Sequence, residues 1–267
     1  MPAVLVTGAV EADWRDERSY DYTTGMTPRE WAWEFLRRNP AFQRDVTAAS
    51  RPIAGLTNPC LTWSRRPATC HAGVFCFAES YGRNSIVFWS PLWCVHVLPV
   101  IAEHLPASSE TTPYQLLALP CRATVLLAPD KGQHVLLRNA EHTLQLAVSG
   151  ADILHPVCLR TEAIWPAKLL RHRLRALECL NALSVGQRLP ARLFPREKRG
   201  PRLNFVLRAL DGSLAGASHR ELAEALIGQR RVDADWRDPR DHLRDRIRRA
   251  VSRGRALMNG GYRDLLT

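Results

Sequence analysis

Residues 239–261 read "PRDHLRDRIRRAVSRGRALMNGG". Stepped at about 100° per residue, Leu243, Ile247, Ala250, Val251, Gly254, Leu257 and Met258 gather in one arc of about 120°. Arg244, Arg248 and Arg255 border that arc on one side. Arg246, Arg249 and Arg253, with His242, border it on the other. Asp241, Asp245 and Ser252 point farthest away. Asp238 suits an N-cap, Pro239 the first helical position and Asp241 the positive end of the dipole, while Gly260-Gly261 closes the segment. The stretch therefore predicts a helix with a buried stripe between two arginine rows. Such arginines can lay their stems on apolar surface with the heads in water, or reach phosphates on either side of a groove. The outward acids also leave open a basic helix that faces another protein.

Upstream, "SHRELAEALIG" (218–228) has Ser218 and Glu221 at the capping-box spacing and Gly228 as a stop. Before it, "RLNFVLRALDG" (202–212) predicts a short amphipathic helix ended by Asp211-Gly212. A helix, a short glycine-containing turn, a second helix and a longer basic helix follow helix-turn-helix grammar. The candidate DNA-binding residues are Arg220 on the second helix and Arg240, His242, Arg244, Arg246, Arg248, Arg249 and Arg253 on the basic one. The implied partner is double-stranded DNA.

The charge distribution points the same way. The chain has 37 Lys and Arg against 26 Asp and Glu, net +11. Residues 1–60 carry 7 basic and 8 acidic side chains, and residues 61–159 carry 6 of each. Residues 160–267 carry 24 basic and 12 acidic side chains, net +12, so the whole excess lies at one end. Such asymmetry suits a separate module for an acidic partner.

The remaining chain divides by pattern. "SVGQRLPARLFPREKRGPR" (184–202) has three prolines and two glycines and reads as a linker. Before it, Leu169, Leu170, Leu174, Leu177, Leu180 and Leu183 recur at threes and fours, which predicts a helix with Pro166 near its start. "RATVLLA", "HVLLR" and "TLQLAVSG" are strand-length runs joined by "PDKGQ" and "NAEH", an expected antiparallel meander. "GVFCFAES" and "SIVFW" fit two further strands. In "TPREWAWEFLRRNPAFQRDV", Thr27, Pro28 and Glu30 open a helix, and Asn39-Pro40 stops it. Its aromatics build either a small core or a docking surface, and Trp31, Trp33 and Phe35 are the candidate partner-binding residues.

Several functions find no support. The chain has no apolar run of about 20 residues, and its start lacks a basic, apolar leader, so a cytoplasmic protein away from membranes is expected. Seven cysteines at irregular spacing argue against a disulfide framework. "VLVTGA" (4–9) lacks the glycines of a dinucleotide site. Cys60, Cys70, His71 and Cys76 fit no common zinc spacing. No metal, cofactor or catalytic site is expected, and the chain does not read as an enzyme.

The C-terminal "LRALDGSLAGASHRELAEALIGQRRV" and "LRDRIRRAVSRGRALMNGGYRDLL" resemble the proteobacterial domain of unknown function 2285 (DUF2285). The N-terminal "YDYTTGMTPREWAWEFLRRNPAFQRD" resembles the transcriptional regulator-like module numbered 6499 (DUF6499), often found ahead of it. The resemblance implies a bacterial regulator of the kind carried on integrative and conjugative elements. Members act as activators, or, when short, as antiactivators that bind other transcription regulators. The presence of both modules favours activation; a regulator that binds another transcription factor rather than DNA is the alternative. The expected fold is α+β: a helical aromatic-rich module (11–60), a β-rich middle (61–159), a helix and linker (160–200) and a helix-turn-helix-like basic domain (201–267).

Overall fold

The structure, a computed structural model, describes residues 12–49, 57–58, 61–65, 75–78, 82–105, 112–128, 132–139, 142–236 and 242–267. In chain order the helices are α1 (Pro28–Leu36), α2 (Pro40–Ala49), α3 (Ala167–Ser184), α4 (Gly200–Leu214), α5 (His219–Ile227), α6 (Gln229–Asp235) and α7 (His242–Met258). The strands are β1 (Thr57–Asn58), β2 (Leu61–Arg65), β3 (Phe75–Ala78), β4 (Val87–Trp89), β5 (Val97–His104), β6 (Arg122–Leu127), β7 (Gln133–Arg138), β8 (Thr143–Gly150) and β9 (Val157–Arg160). The architecture is α+β. Two compact units form. One joins residues 12–39 to Arg196–Leu265, and the other takes residues 40–195 with the last two residues.

The second unit is built on a seven-stranded sheet in the order β1-β2-β6-β7-β8-β5-β9. The expected meander is present as β6-β7-β8, antiparallel throughout. Its turns close as the composition predicts. The Ala128 N–H donates to the Gly132 carbonyl at 2.8 Å, and Asn139 Oδ1 accepts from the His142 N–H at 2.9 Å. The sheet is nevertheless mixed, since β2 runs parallel to β6 and β5 parallel to β8. Val135, Leu136 and Leu137 are all buried in succession, which means both faces are covered. Ala176, Cys179 and Leu183 of α3 share a core with Leu98, Val125, Val135 and Leu146 on one face. Phe88 of β4 covers Leu126 and Leu136 on the other. There the buried Gln145 side chain acts as a piece of strand: its amide donates to the Trp89 carbonyl at 2.7 Å and accepts from the Trp89 N–H at 3.0 Å.

α3 departs from its leucine pattern. Its buried residues are Arg173, Ala176, Cys179, Ala182 and Leu183, while Leu170 and Leu174 are exposed. The small side chains let the helix axis approach the sheet, so the face with alanine and cysteine turns inward and the leucine row lies at its margin. The linker region is also more ordered than its composition suggests. Leu189 is buried, Phe194 stacks on His142 with ring centroids 4.4 Å apart, and Gly200-Pro201 already forms the first turn of α4.

In the first unit, α4 runs through Asp211-Gly212 rather than ending there. Gly212 is a close-approach residue, not a stop. A Cβ on it would lie 2.4 Å from Leu222 Cδ2 and 2.8 Å from Trp14 Cδ2. Asp211 is held in the helix by ion pairing, as the Arg38 Nη2 donates to its Oδ2 at 2.8 Å. The α1 start is as expected: the Glu30 carboxylate accepts from the Thr27 N–H at 2.6 Å. Buried Arg208 donates to the Trp14 carbonyl at 3.2 Å and so fastens the segment before α1 to α4.

Candidate nucleic-acid interface

The basic helix α7 is anchored by Leu243, Ile247, Ala250, Val251, Gly254, Leu257 and Met258, all buried. This is the stripe read from the helical period, and α4 supplies part of its partner surface. Gly254 sits so close to α4 that a Cβ would lie 2.8 Å from the Leu210 Cβ. With the stripe fixed, the two arginine rows must project along its margins.

The rows have different surroundings. In the first, Arg244 donates to the Trp236 carbonyl at 2.9 Å and its guanidinium lies 5.3 Å from the Trp236 ring centroid. Arg248 pairs with Asp245 at 2.8 Å, and Arg255 donates to the Ser213 hydroxyl at 3.1 Å. In the second row, Arg246 lies over the Phe205 ring at 4.6 Å. Arg249 and Arg253 are exposed and have no hydrogen bond or ion pair with other described residues. His242 is exposed at the start of the helix. Arg240, with the capping Asp238 and the outward Asp241, lies outside the described residues.

α5 has the capping box its sequence predicts. The Glu221 N–H donates to Ser218 Oγ at 3.2 Å, and the Ser218 N–H donates to Glu221 Oε2 at 2.7 Å. These bonds hold the Glu221 carboxyl below the usual carboxylate range. Arg220 donates to Glu224 at 2.8 Å and to Asp233 of α6 at 3.1 Å, and is raised above the ordinary arginine value, first by its bond to Glu224. It therefore bridges two helices as well as facing solvent.

No sequence pattern announces α6. Gly228 stops α5, but only as a corner: with φ of 108° it turns the chain straight into α6. That turn brings Arg230 and Arg231 to the exposed surface beside α5. The available signal is "GQRRVDAD", a glycine followed by seven residues without a breaker, but about two turns of helix carry too short a periodic pattern to stand out.

Trp31, Trp33 and Phe35 fall elsewhere. Trp31 and Phe35 are fully buried, stacked at 6.2 Å, and Trp33 is almost so. They form core, not a docking surface, because α1 is covered by the C-terminal helices of its own unit and by the segment Gly261–Leu265. Among the described residues no group of His, Cys, Asp and Glu could hold a metal ion, and no helix is long and apolar enough to cross a membrane.

Residues 163–267 match the RovC-type family of T6SS transcription factor DNA-binding domains, and residues 13–68 match the proteobacterial transcriptional regulator-like domain. No curated protein matches the chain. The first match takes in α3 to α7 and the whole charge excess, and the second takes in α1 and α2. The two matches support a transcriptional regulator whose DNA-binding domain lies in the C-terminal region.

Proposed function

We propose that the chain is a DNA-binding transcriptional activator of a bacterial mobile element, acting in the cytoplasm and gripping duplex DNA through a helix-turn-helix and the arginine rows of α7. The observation that carries this reading is the coincidence of the DNA-binding match with the two uncommitted arginines, Arg249 and Arg253. Arginines with no internal partner are available to phosphates at no cost in lost pairs. Of the two outward acids that favoured a protein partner, Asp245 is paired with Arg248, and Asp241 lies outside the described residues. The reading assigns the chain no catalytic reaction, cofactor or metal.

The test is binding of the full chain to duplex DNA across a salt series. Each phosphate contact contributes about −0.9 to the slope of log affinity against log salt. The Arg249→Ala, Arg253→Ala double variant should flatten the slope by roughly two contacts. A folded chain that binds no duplex at low salt would overturn the proposal in favour of a regulator that acts through another transcription factor.

A further inference from the structure

α6 is held in place by more contacts than its burial explains. Val232 is its one buried side chain; Gln229, Arg230, Arg231, Asp233, Ala234 and Asp235 are exposed. A helix this short has no stability of its own. Three devices hold it. The Gly228 carbonyl accepts from the Val232 N–H at 3.2 Å, at a corner whose φ of 108° favours glycine. Arg220 ties α5 to Asp233 at 3.1 Å. Arg244 ties α7 to the Trp236 carbonyl at 2.9 Å and covers the Trp236 ring. Three neighbours thus fix a protruding element that adds little to the core.

We infer that α5, the Gly228 corner and α6 form the base-reading helix-turn-helix, with Arg230 of α6 reading a guanine in the major groove, while α7 supplies phosphate contacts. At about 100° per residue, Arg230 and Ala234 lie opposite Val232, so they head the face that α6 presents. Arg230 has no hydrogen bond or ion pair with other described residues. Its fork matches guanine O6 and N7, and the small Ala234 one turn on leaves room for a thymine methyl. The acids of α6 do not oppose this approach. Asp233 is paired with Arg220, and Asp235 lies 3.8 Å from Arg231. Arg230 is the second residue of its helix, the end from which a reading helix contacts base edges. α7 is less suited to reading bases, because its exposed arginines flank the buried stripe instead of heading its outward face, a placement that suits backbone contacts on either side.

The inference rests on the proposed DNA-binding function. The test is selection of preferred sites by the full chain from a random-sequence duplex pool, compared among wild type, Arg230→Ala, Arg230→Lys and the Arg249→Ala, Arg253→Ala pair. Wild type should select a motif with a fixed guanine. Both Arg230 variants should lose preference at that position by roughly 5- to 150-fold. Their salt slope should fall by no more than about one contact. The α7 pair should keep the motif and lose bulk affinity. Arg230 variants that select the wild-type motif would overturn the assignment to α6 and leave the DNA-binding function standing. A wild type that binds DNA without any motif would do the same. A wild type that binds no DNA would overturn both.

Discussion

Arg38 and Asp211 form a bidentate ion pair in the interior of the first unit, with Nη2 to Oδ2 at 2.8 Å and side chains only 1% and 2% exposed. The residues are 173 positions apart. Tyr20 donates to the same carboxylate at 2.5 Å, and Glu34 binds Arg38 from the other side at 2.6 Å. Burial, then the Asp211 carboxylate, pushes the Tyr20 hydroxyl far above its usual range, so it stays a donor. Arg38 is in turn held well above the ordinary arginine value, because Asp211 and Glu34 outweigh its burial. The regulator-like segment is thereby locked to α4.

Removing one partner leaves a buried charge without compensation. Arg38→Ala and Asp211→Asn should each destabilise the unit by about 3–5 kcal/mol. The pair Arg38→Met, Asp211→Leu should cost less than either single change. Urea unfolding of the full chain, followed by tryptophan fluorescence, measures all three. A double variant that loses the sum of the singles would refute the coupling.

Protons act on the same network. Burial pushes Glu34 up, but Arg38 and Arg37 outweigh it and hold the carboxyl below its ordinary value of 4.5. The folded state then binds fewer protons than the unfolded chain, so this stabilisation is complete above 4.5 and is lost as pH falls through the depressed value. His172 acts at higher pH. Burial first, then Arg171, Arg175 and Arg173, hold its imidazole below 6.5. The unfolded histidine takes a proton where the folded one resists, so stability falls as pH drops below 6.5. Melting temperature against pH should show both limbs. His172→Gln should flatten the upper limb, and Glu34→Gln should flatten the lower one while destabilising the protein at neutral pH.

The contrast between Arg38 and the arginines of α7 shows what the chain reveals by itself. The α7 stripe was legible because seventeen residues of helix repeat one pattern. The meander was legible because its turns carry Asn, Gly and Asp. Tertiary pairings were not legible. Nothing near Asp211 signals Arg38, so Asp211-Gly212 reads as a helix stop when it is an ion pair followed by a packing contact. The leucines of α3 misled for a related reason: a period identifies a helix, but the closeness of the sheet decided which face turned inward. α6 was hidden by its length.

Two glycines mark where helices touch. Gly212→Ala would force a Cβ to 2.4 Å from Leu222 Cδ2, and Gly254→Ala would force one to 2.8 Å from the Leu210 Cβ. Helix propensity favours alanine by about 1 kcal/mol, yet overpacking of this kind costs about 1–3 kcal/mol. Both variants should therefore melt lower than wild type, Gly212→Ala by more because its clash includes the rigid Trp14 ring. A higher melting temperature for either would show that the helices can separate without loss.

The thiols differ in reach. Burial, then the neighbouring Glu178, pushes the Cys179 thiol up to about 11, and Cys94 is fully buried. Cys121 and Cys158 are half-buried. Only a thiolate reacts readily, so maleimide labelling of the native chain at pH 8 should modify Cys121 and Cys158 well before Cys94 and Cys179. Peptide mass mapping over a time course gives the order. Early labelling of Cys179 would mean that α3 lifts from the sheet.

Arg246 and Arg249 stand on one flank of α7 but should behave differently. Arg246 covers the Phe205 ring at 4.6 Å, whereas Arg249 has no described partner. An exposed cation–π contact contributes about 0.5–1 kcal/mol, so Arg246→Ala should lower stability by that amount. Arg249→Ala should stay within about 0.5 kcal/mol of wild type. In DNA binding the two should converge, each variant flattening the salt slope by about 0.9 if its guanidinium meets a phosphate. Thermal melts and salt titrations on the same preparations separate the two effects. If Arg246→Ala changes stability but leaves the slope intact, its guanidinium belongs to the fold and the phosphate row shrinks to Arg249 and Arg253.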